Sequence, residues 1–194
     1  MNIPSVVAWP LTAAFLALTV PCVGRLVRLD YGRLGGGARQ SDLAWLLMML
    51  AMVAMVSPVG GPIPVAGWQA LFVLCAGWFA VRAFRRVTTG AGDGGAHHAV
   101  ASAGMLYMLV AMPHDESAHD LFVPMSAAGD PATFGWPAVA VVAAAYFAVD
   151  GGRAALSGLR AAGHGEGPPR GSGSRALCRA AMGLGMGYMF LTGL

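Results

Sequence analysis

Residues 96–112, AHHAVASAGMLYMLVAM, contain no Asp, Glu, Lys or Arg and carry methionines three and four residues apart. At about 100° per residue, this spacing places Met105, Met108 and Met112 on one stripe of a helix. The run is near the lower end of the ~17–25 residues that a bilayer core requires. The sequence therefore predicts a membrane-spanning helix with one thioether-lined face.

The same pattern recurs in two other apolar segments. Residues 104–108 (GMLYM) and 185–189 (GMGYM) share the motif G-M-x-Y-M, and Met52 and Met55 repeat its M-x-x-M part. If the three faces converge, they form a sulfur-lined interior around a pseudo-threefold axis. The predicted stripes are Met48/Met52/Met55, Met105/Met108/Met112 and Met182/Met186/Met189.

The composition is that of a polytopic membrane protein. Charged residues make up 11% of the chain and hydrophobic residues 57%, and the mean hydropathy is +0.63. These values exclude an ordinary soluble domain. All basic residues are Arg, which together with abundant Ala and Gly suggests a GC-rich bacterial genome. They lie beside apolar segments, so membrane orientation explains them without a nucleic-acid partner.

The apolar segments predict an all-α fold, a transmembrane helix bundle that forms one integral membrane domain over residues 1–194. Each segment is close to the length that crosses a bilayer. A Gly-, Pro- and Ser-rich stretch, 163–174, is predicted to be a flexible cytoplasmic linker. The six predicted spans are about 5–24, 41–57, 66–83, 96–112, 135–152 and 176–194.

The arginines predict how the bundle is oriented. They lie only in the connections 24–41, 82–95 and 153–179, whereas 58–65 and 113–134 contain none. Because basic residues accumulate on the cytoplasmic side, both termini are expected outside the cytoplasm of a bacterial cell, in its cytoplasmic membrane. The three methionine-bearing helices would then all run from inside to outside.

Thioether sulfur favours Cu(I), because a neutral, polarisable donor suits a soft monovalent ion better than Zn(II) or a hard cation. We therefore expect a copper site for transport, storage or delivery. His98 lies seven residues before Met105, on the same stripe, and is a candidate end ligand. The predicted core ligands are Met105, Met108, Met186, Met189, Met52 and Met55; the secondary ligands are Met48, Met112 and Met182; possible peripheral ligands are His97, His114, His119, Met125 and Cys178.

Other interpretations remain open. Methionine is also an ordinary filler of irregular cores, which would suit an accessory or assembly subunit of a larger membrane complex, or a homo-oligomer. His98 with a methionine or a second histidine could instead bind a b-type haem for electron transfer. We find no catalytic motif such as H-E-x-x-H or G-x-S-x-G, so no enzymatic activity is expected.

The cysteines and one carboxylate give weaker indications. Cys22, Cys75 and Cys178 have no C-x-x-C spacing. Cys22 and Cys178 are expected near the inner face, either as small buried residues or, with His97 and His98, as an acceptor for copper. Asp150 is an ionisable residue near the end of a span, and Arg153, three residues later, is its expected partner.

The chain resembles a family of small, uncharacterised multi-pass membrane proteins of actinobacteria, which share a domain of unknown function. The likeness rests on His98 upstream of Met105 and Met108, and on Met186 and Met189 in the last helix, and it would cover most of the chain. It implies a membrane protein of that source and no particular activity. The Met stripes also resemble the stacked rings of eukaryotic high-affinity copper transporters, although the interval and topology differ.

Overall fold

The computed structural model describes residues 5–28, 30, 36–89, 94–111, 136–163 and 172–192. Within these residues the secondary structure is entirely helical, and four helices are long and apolar enough to cross a membrane. The prediction of an all-α membrane protein is thereby confirmed. The helices are α1 (Ser5–Arg28), α2 (Gly36–Val56), α3 (Val65–Thr89), α4 (Gly94–Ala111), α5 (Pro137–Gly163) and α6 (Ser172–Thr192).

Several helices extend beyond the apolar segments that predicted them. Helix α3 continues to Thr89, and α5 continues to Gly163, well past the expected end near residue 152. The α3 extension contains Arg85, and the α5 extension contains Arg153 and Arg160. Arginine is a good helix former, so it lowers the hydropathy of a segment without ending the helix. The predicted linker 163–174 begins and ends in helix, at Gly163 and from Ser172 onward, and its residues 164–171 lie outside the described part of the chain.

The six helices pack as three successive pairs, α1 with α2, α3 with α4, and α5 with α6. In its most apolar window α2 is 56% buried, against 22% for α1, 17% for α3 and 28% for α5. The first helix of each pair therefore lies outside and presents large apolar side chains to the surroundings. These side chains include Trp9, Leu16 and Val20 on α1, Leu74, Trp78 and Phe84 on α3, and Val142, Leu156 and Leu159 on α5.

Backbone contact holds the α5/α6 pair together. A Cβ atom built on Gly183 would lie 2.7 Å from the carbonyl oxygen of Phe147 and 2.8 Å from the Cα of Gly151. One built on Gly151 would lie 3.0 Å from the carbonyl oxygen of Ala180. Small residues permit this close approach, which is a common way for helices to associate in lipid. The neighbouring Gly152 points into open space.

Replacing Gly183 by Ala should destabilise the protein by about 1–3 kcal/mol, because the added methyl group meets backbone atoms that cannot rotate away. Gly152→Ala is the matched control on the same helix pair. It should be neutral or stabilise by about 0.5–1 kcal/mol, because Ala favours a helix interior over Gly. Thermal unfolding in detergent measures both, and equal midpoints for the two variants would contradict the close contact.

Candidate metal centre

All nine methionines in the described residues are buried, and all belong to a single hydrophobic core. They come from α2, α4 and α6, the inner helix of each pair. Every described member of the three predicted stripes is among them. They are Met48, Met49, Met52 and Met55 on α2, Met105 and Met108 on α4, and Met182, Met186 and Met189 on α6.

The methionines of different helices reach across to one another's backbone. A Cβ atom on Gly185 of α6 would lie 2.8 Å from the Cε of Met52, and one on Gly104 of α4 would lie 3.1 Å from the Cε of Met186. Thus a thioether from α2 extends to α6, and one from α6 extends to α4. The three inner helices share one interior, and glycines at these positions leave room for the ends of the methionine side chains.

Methionine and leucine side chains differ in how deeply they are buried. Of the twelve largest fully buried side chains among the described residues, eight are Met and only Leu109 is Leu. The other described leucines are either partly buried around this core or exposed. The exposed leucines are Leu16, Leu43, Leu50, Leu74, Leu156, Leu159, Leu177, Leu184 and Leu191.

Aromatic rings border the same interior. The ring of Phe15 would lie 2.5 Å from a Cβ on Gly185, beside Met52. The rings of Phe147 and Phe190 stack with their centroids 6.0 Å apart, and Tyr107 stacks on Phe190 at 6.3 Å. Such rings close the core to water and also offer methionine sulfur the contacts that stabilise a purely structural core.

Four predicted ligands lie outside the described residues. Met112 follows the described end of α4, and His114, His119 and Met125 belong to the connection to α5. The role of these four residues as ligands therefore stays a prediction from the sequence.

His98 is buried at the arginine-rich end of the core. Its side chain lies between Trp45 and Phe79, with ring centroids at 5.0 Å and 4.9 Å. Within the described residues, its Nδ1 atom has no hydrogen-bond partner, and neither does the hydroxyl of Ser102, one turn further along α4. Buried polar atoms are rarely left unsatisfied, so these two atoms indicate a place where a ligand or water binds.

A polar cavity of about 710 Å³ adjoins His98 at the arginine-rich end of the bundle. His97 also faces it, and its Nδ1 atom lies 3.2 Å from the hydroxyl of Tyr146. The cavity lies among α2, α4, α5 and α6 at this arginine-rich end. Its lining consists of Ser41, Trp45, His97, His98, Asp150, Arg153, Ala154, Ser157, Arg175, Ala176 and Arg179.

The expected pairing of Asp150 with Arg153 is wrong. Arg179 of α6 instead donates two hydrogen bonds to Asp150, at 2.9 Å from Nε and 2.5 Å from Nη2. His97 also approaches this carboxylate, at 3.6 Å. Arg179 is the direct partner because the close α5/α6 contact places it beside Asp150. A guanidinium group can also donate two parallel hydrogen bonds to one carboxylate.

A second network of ion pairs joins α1, α2 and α6 at the arginine-rich end of the core. Asp42 is fully buried and accepts hydrogen bonds from Arg175 at 2.8 Å and 3.1 Å. It also accepts one from Nε of Arg25, at 3.3 Å, and the Arg25 side chain is only 4% exposed. The same guanidinium donates to the hydroxyl of Ser174 at 2.9 Å. Buried charges of this kind require mutual pairing.

Arg25 also faces two thiols. The sulfur atoms of Cys22 and Cys178 lie 3.4 Å apart, and both residues are free and buried. Nη2 of Arg25 is 3.3 Å from the first sulfur, and Nη1 is 3.7 Å from the second. Sequence reasoning placed both cysteines near one face but missed that they meet. One signal was present: Cys178 precedes Met182 by four residues and so extends the methionine stripe.

The four-residue copper acceptor considered from the sequence does not form as one cluster. Among the described residues, no group of three or more His, Cys, Asp or Glu side chains is arranged to hold a metal ion. His97 and His98 border the polar cavity, whereas Cys22 and Cys178 face each other beside Arg25. The histidines and the thiols are therefore separate features of the arginine-rich end of the bundle.

Residues 37–193 match a family described as Domain of unknown function (DUF5134). The chain belongs to this family. The DUF5134 domain spans α2 to α6 and so contains every described methionine, whereas Cys22 and Arg25 come from α1, which precedes it. The resemblance to an uncharacterised family is thereby confirmed, and actinobacterial origin stays a prediction. Neither a curated protein nor a solved structure matches the chain.

Replacing Asp42 by Asn should destabilise the protein by about 3–5 kcal/mol, because it leaves Arg25 buried without its carboxylate partner. Asp150→Asn is the matched control, since its partner Arg179 is 44% exposed. That change should cost about 1 kcal/mol or less. Unfolding midpoints in detergent measure both, and an Asp42 variant as stable as the control would refute a structural role for the buried network.

Proposed function

We propose that this protein binds Cu(I) in the methionine-lined interior of its helix bundle, for copper transport, storage or delivery. The observation that carries the proposal is the different burial of methionine and leucine, two side chains that pack about equally well in an apolar core. Methionine fills the interior shared by α2, α4 and α6, whereas Leu109 is the only fully buried leucine among the described residues and the other described leucines are partly buried or exposed. Met and Leu are interchangeable in most cores at small cost, so packing alone does not require such a bias.

The chemistry of the interior supports the same ion. Thioethers are uncharged, so they can be buried together without the cost of burying carboxylates or thiolates. They coordinate soft monovalent metals and bind them weakly enough for release, as a conduction path requires. His98 continues the stripe of α4 towards the inner end, and its unpartnered Nδ1 supplies a donor where the ion would leave the thioethers.

We further propose that all six helices span a bacterial cytoplasmic membrane, with both termini outside the cytoplasm. Helix α4, with 18 residues, is shorter than the four clear candidates and carries His97 and His98. Helix α6 is less hydrophobic because it carries Arg175 and Arg179. All four residues line the polar cavity, so the proposal does not require them to face lipid. The arginine-rich end of the bundle is then the cytoplasmic end.

Reporter fusions test this orientation. Alkaline phosphatase fused after Leu194 or within residues 58–65 should be active, because it would be exported. The same enzyme fused within residues 29–35 or 90–93 should be inactive, and a fluorescent protein should show the opposite pattern at each site. The reverse pattern, or activity at all four sites, would refute the proposed six-span arrangement.

A quadruple variant tests the copper site: Met105, Met108, Met186 and Met189, each changed to Leu. If these residues are ligands, the purified protein loaded with Cu(I) under reducing conditions should lose most of the copper held in this interior. Each substitution should cost less than about 1.5 kcal/mol, so the fold should survive. Elemental analysis measures the metal, and helical circular dichroism confirms the fold.

Leu109→Ile provides the control, because it disturbs packing in the same fully buried layer without removing sulfur. It should leave the copper content unchanged. Wild-type protein that folds but binds no copper would make the stripes a packing device and favour an accessory subunit of a membrane complex. A Soret band in the visible spectrum of the purified protein would instead favour the haem-binding alternative.

A further inference from the structure

We propose that Cys22 and Cys178 form a second, two-coordinate Cu(I) site at the inner end of the bundle, which receives the ion from the methionine-lined interior. The proposal rests on the proposed function, and it names the residues that hold the ion after the thioethers. Two sulfur donors suffice for it, since a closed-shell monovalent ion is satisfied by a linear pair of thiolates.

The geometry brings the two donors together from distant parts of the chain. Cys22 of α1 and Cys178 of α6 are 156 residues apart in sequence, yet their sulfur atoms are 3.4 Å apart and fully buried. The sulfurs must move apart to admit an ion between them. Helix α1 ends near this pair and α6 begins near it, and both of these helix ends are rich in arginine. The pair therefore lies close to the polar end of the bundle and not at its apolar centre.

The charge around the pair suits a thiolate complex. Cu(I) between two thiolates carries one negative charge, which would be costly to bury alone. Arg25 contacts both sulfurs with one guanidinium group, at 3.3 Å and 3.7 Å. Asp42 pairs with both Arg25 and Arg175, so these three side chains together carry one net positive charge. That charge is matched when the complex forms.

The transfer step involves no change of oxidation state. Bonds from Cu(I) to methionine sulfurs break, and two bonds to cysteine sulfurs form. A thiol that holds a proton loses it to solvent, and because Arg25 contacts both sulfurs and favours one thiolate, about one to two protons are released for each ion bound. Met182 lies one helical turn from Cys178 on the same buried stripe, which gives the ion a neighbouring thioether from which to move.

Proton release distinguishes this site from the thioether site, because a thioether has no proton to lose. The full-length chain in detergent is titrated with Cu(I), kept reduced by ascorbate, in weakly buffered solution containing a pH indicator. Wild-type protein should release about one to two protons for each thiol-bound ion. The Cys22→Ser/Cys178→Ser variant should lose that release and one bound ion per chain.

Cys75→Ser is the matched control, since Cys75 is a free cysteine on α3 that is only partly buried. It should bind copper and release protons like the wild type. A measurement on the unmodified chain guards against misfolding of the double variant: Cu(I) bound by thiolates gives an ultraviolet charge-transfer band that thioether coordination lacks. Wild-type protein without this band, or a folded double variant with unchanged copper and proton release, would overturn the proposal.

The two proposals can fail separately. If the quadruple methionine-to-leucine variant keeps all its copper and the charge-transfer band, the thiol site stands and the methionine site is refuted. If copper binding depends on the methionines but no protons are released, the thioether site stands and the thiol site is refuted.

Discussion

Close backbone contact within the α3/α4 and α5/α6 pairs is the constraint on which this architecture depends. In lipid, apolar side chains gain little by leaving their surroundings, so helices associate through close packing and polar contacts. Gly183 and Gly151 provide such packing for α5 and α6, and Gly95 brings α4 near the backbone of α3 at Ala83. The inner helices approach one another less closely, and long side chains bridge the space between them. The chain fills that space with methionine.

The sequence predicted the methionine faces well because they depend on local geometry alone. Spacings of three and four residues specify a helical face, and burial of Met48, Met105 and Met182 follows once the inner helices are enclosed. Helix ends were predicted less well, since arginines lower the hydropathy of a segment without ending its helix. The extension of α5 to Gly163 is the clearest example.

Contacts between distant segments could not be predicted. Cys22 meets Cys178, and Asp42 binds Arg25 and Arg175, only because α1 and α2 pack beside the start of α6. Asp150 illustrates the same limit, since the local partner Arg153 was plausible from spacing and the real partner, Arg179, lies on another helix. One sequence without an alignment contains periodicity but no record of which helices are neighbours.

The distribution of charge gives the proposed ion a direction. An ion held by neutral thioethers keeps its full positive charge in an apolar interior, where charge is costly to bury. In the proposed thiol site, two thiolates and Arg25 would together balance the charge of the same ion. The free energy of the ion should therefore fall from the interior towards Cys22 and Cys178. Thioethers alone would bind the ion weakly and let it move on, whereas thiols beside a guanidinium group would bind it more tightly. The proposed ion would therefore be held longest at Cys22 and Cys178.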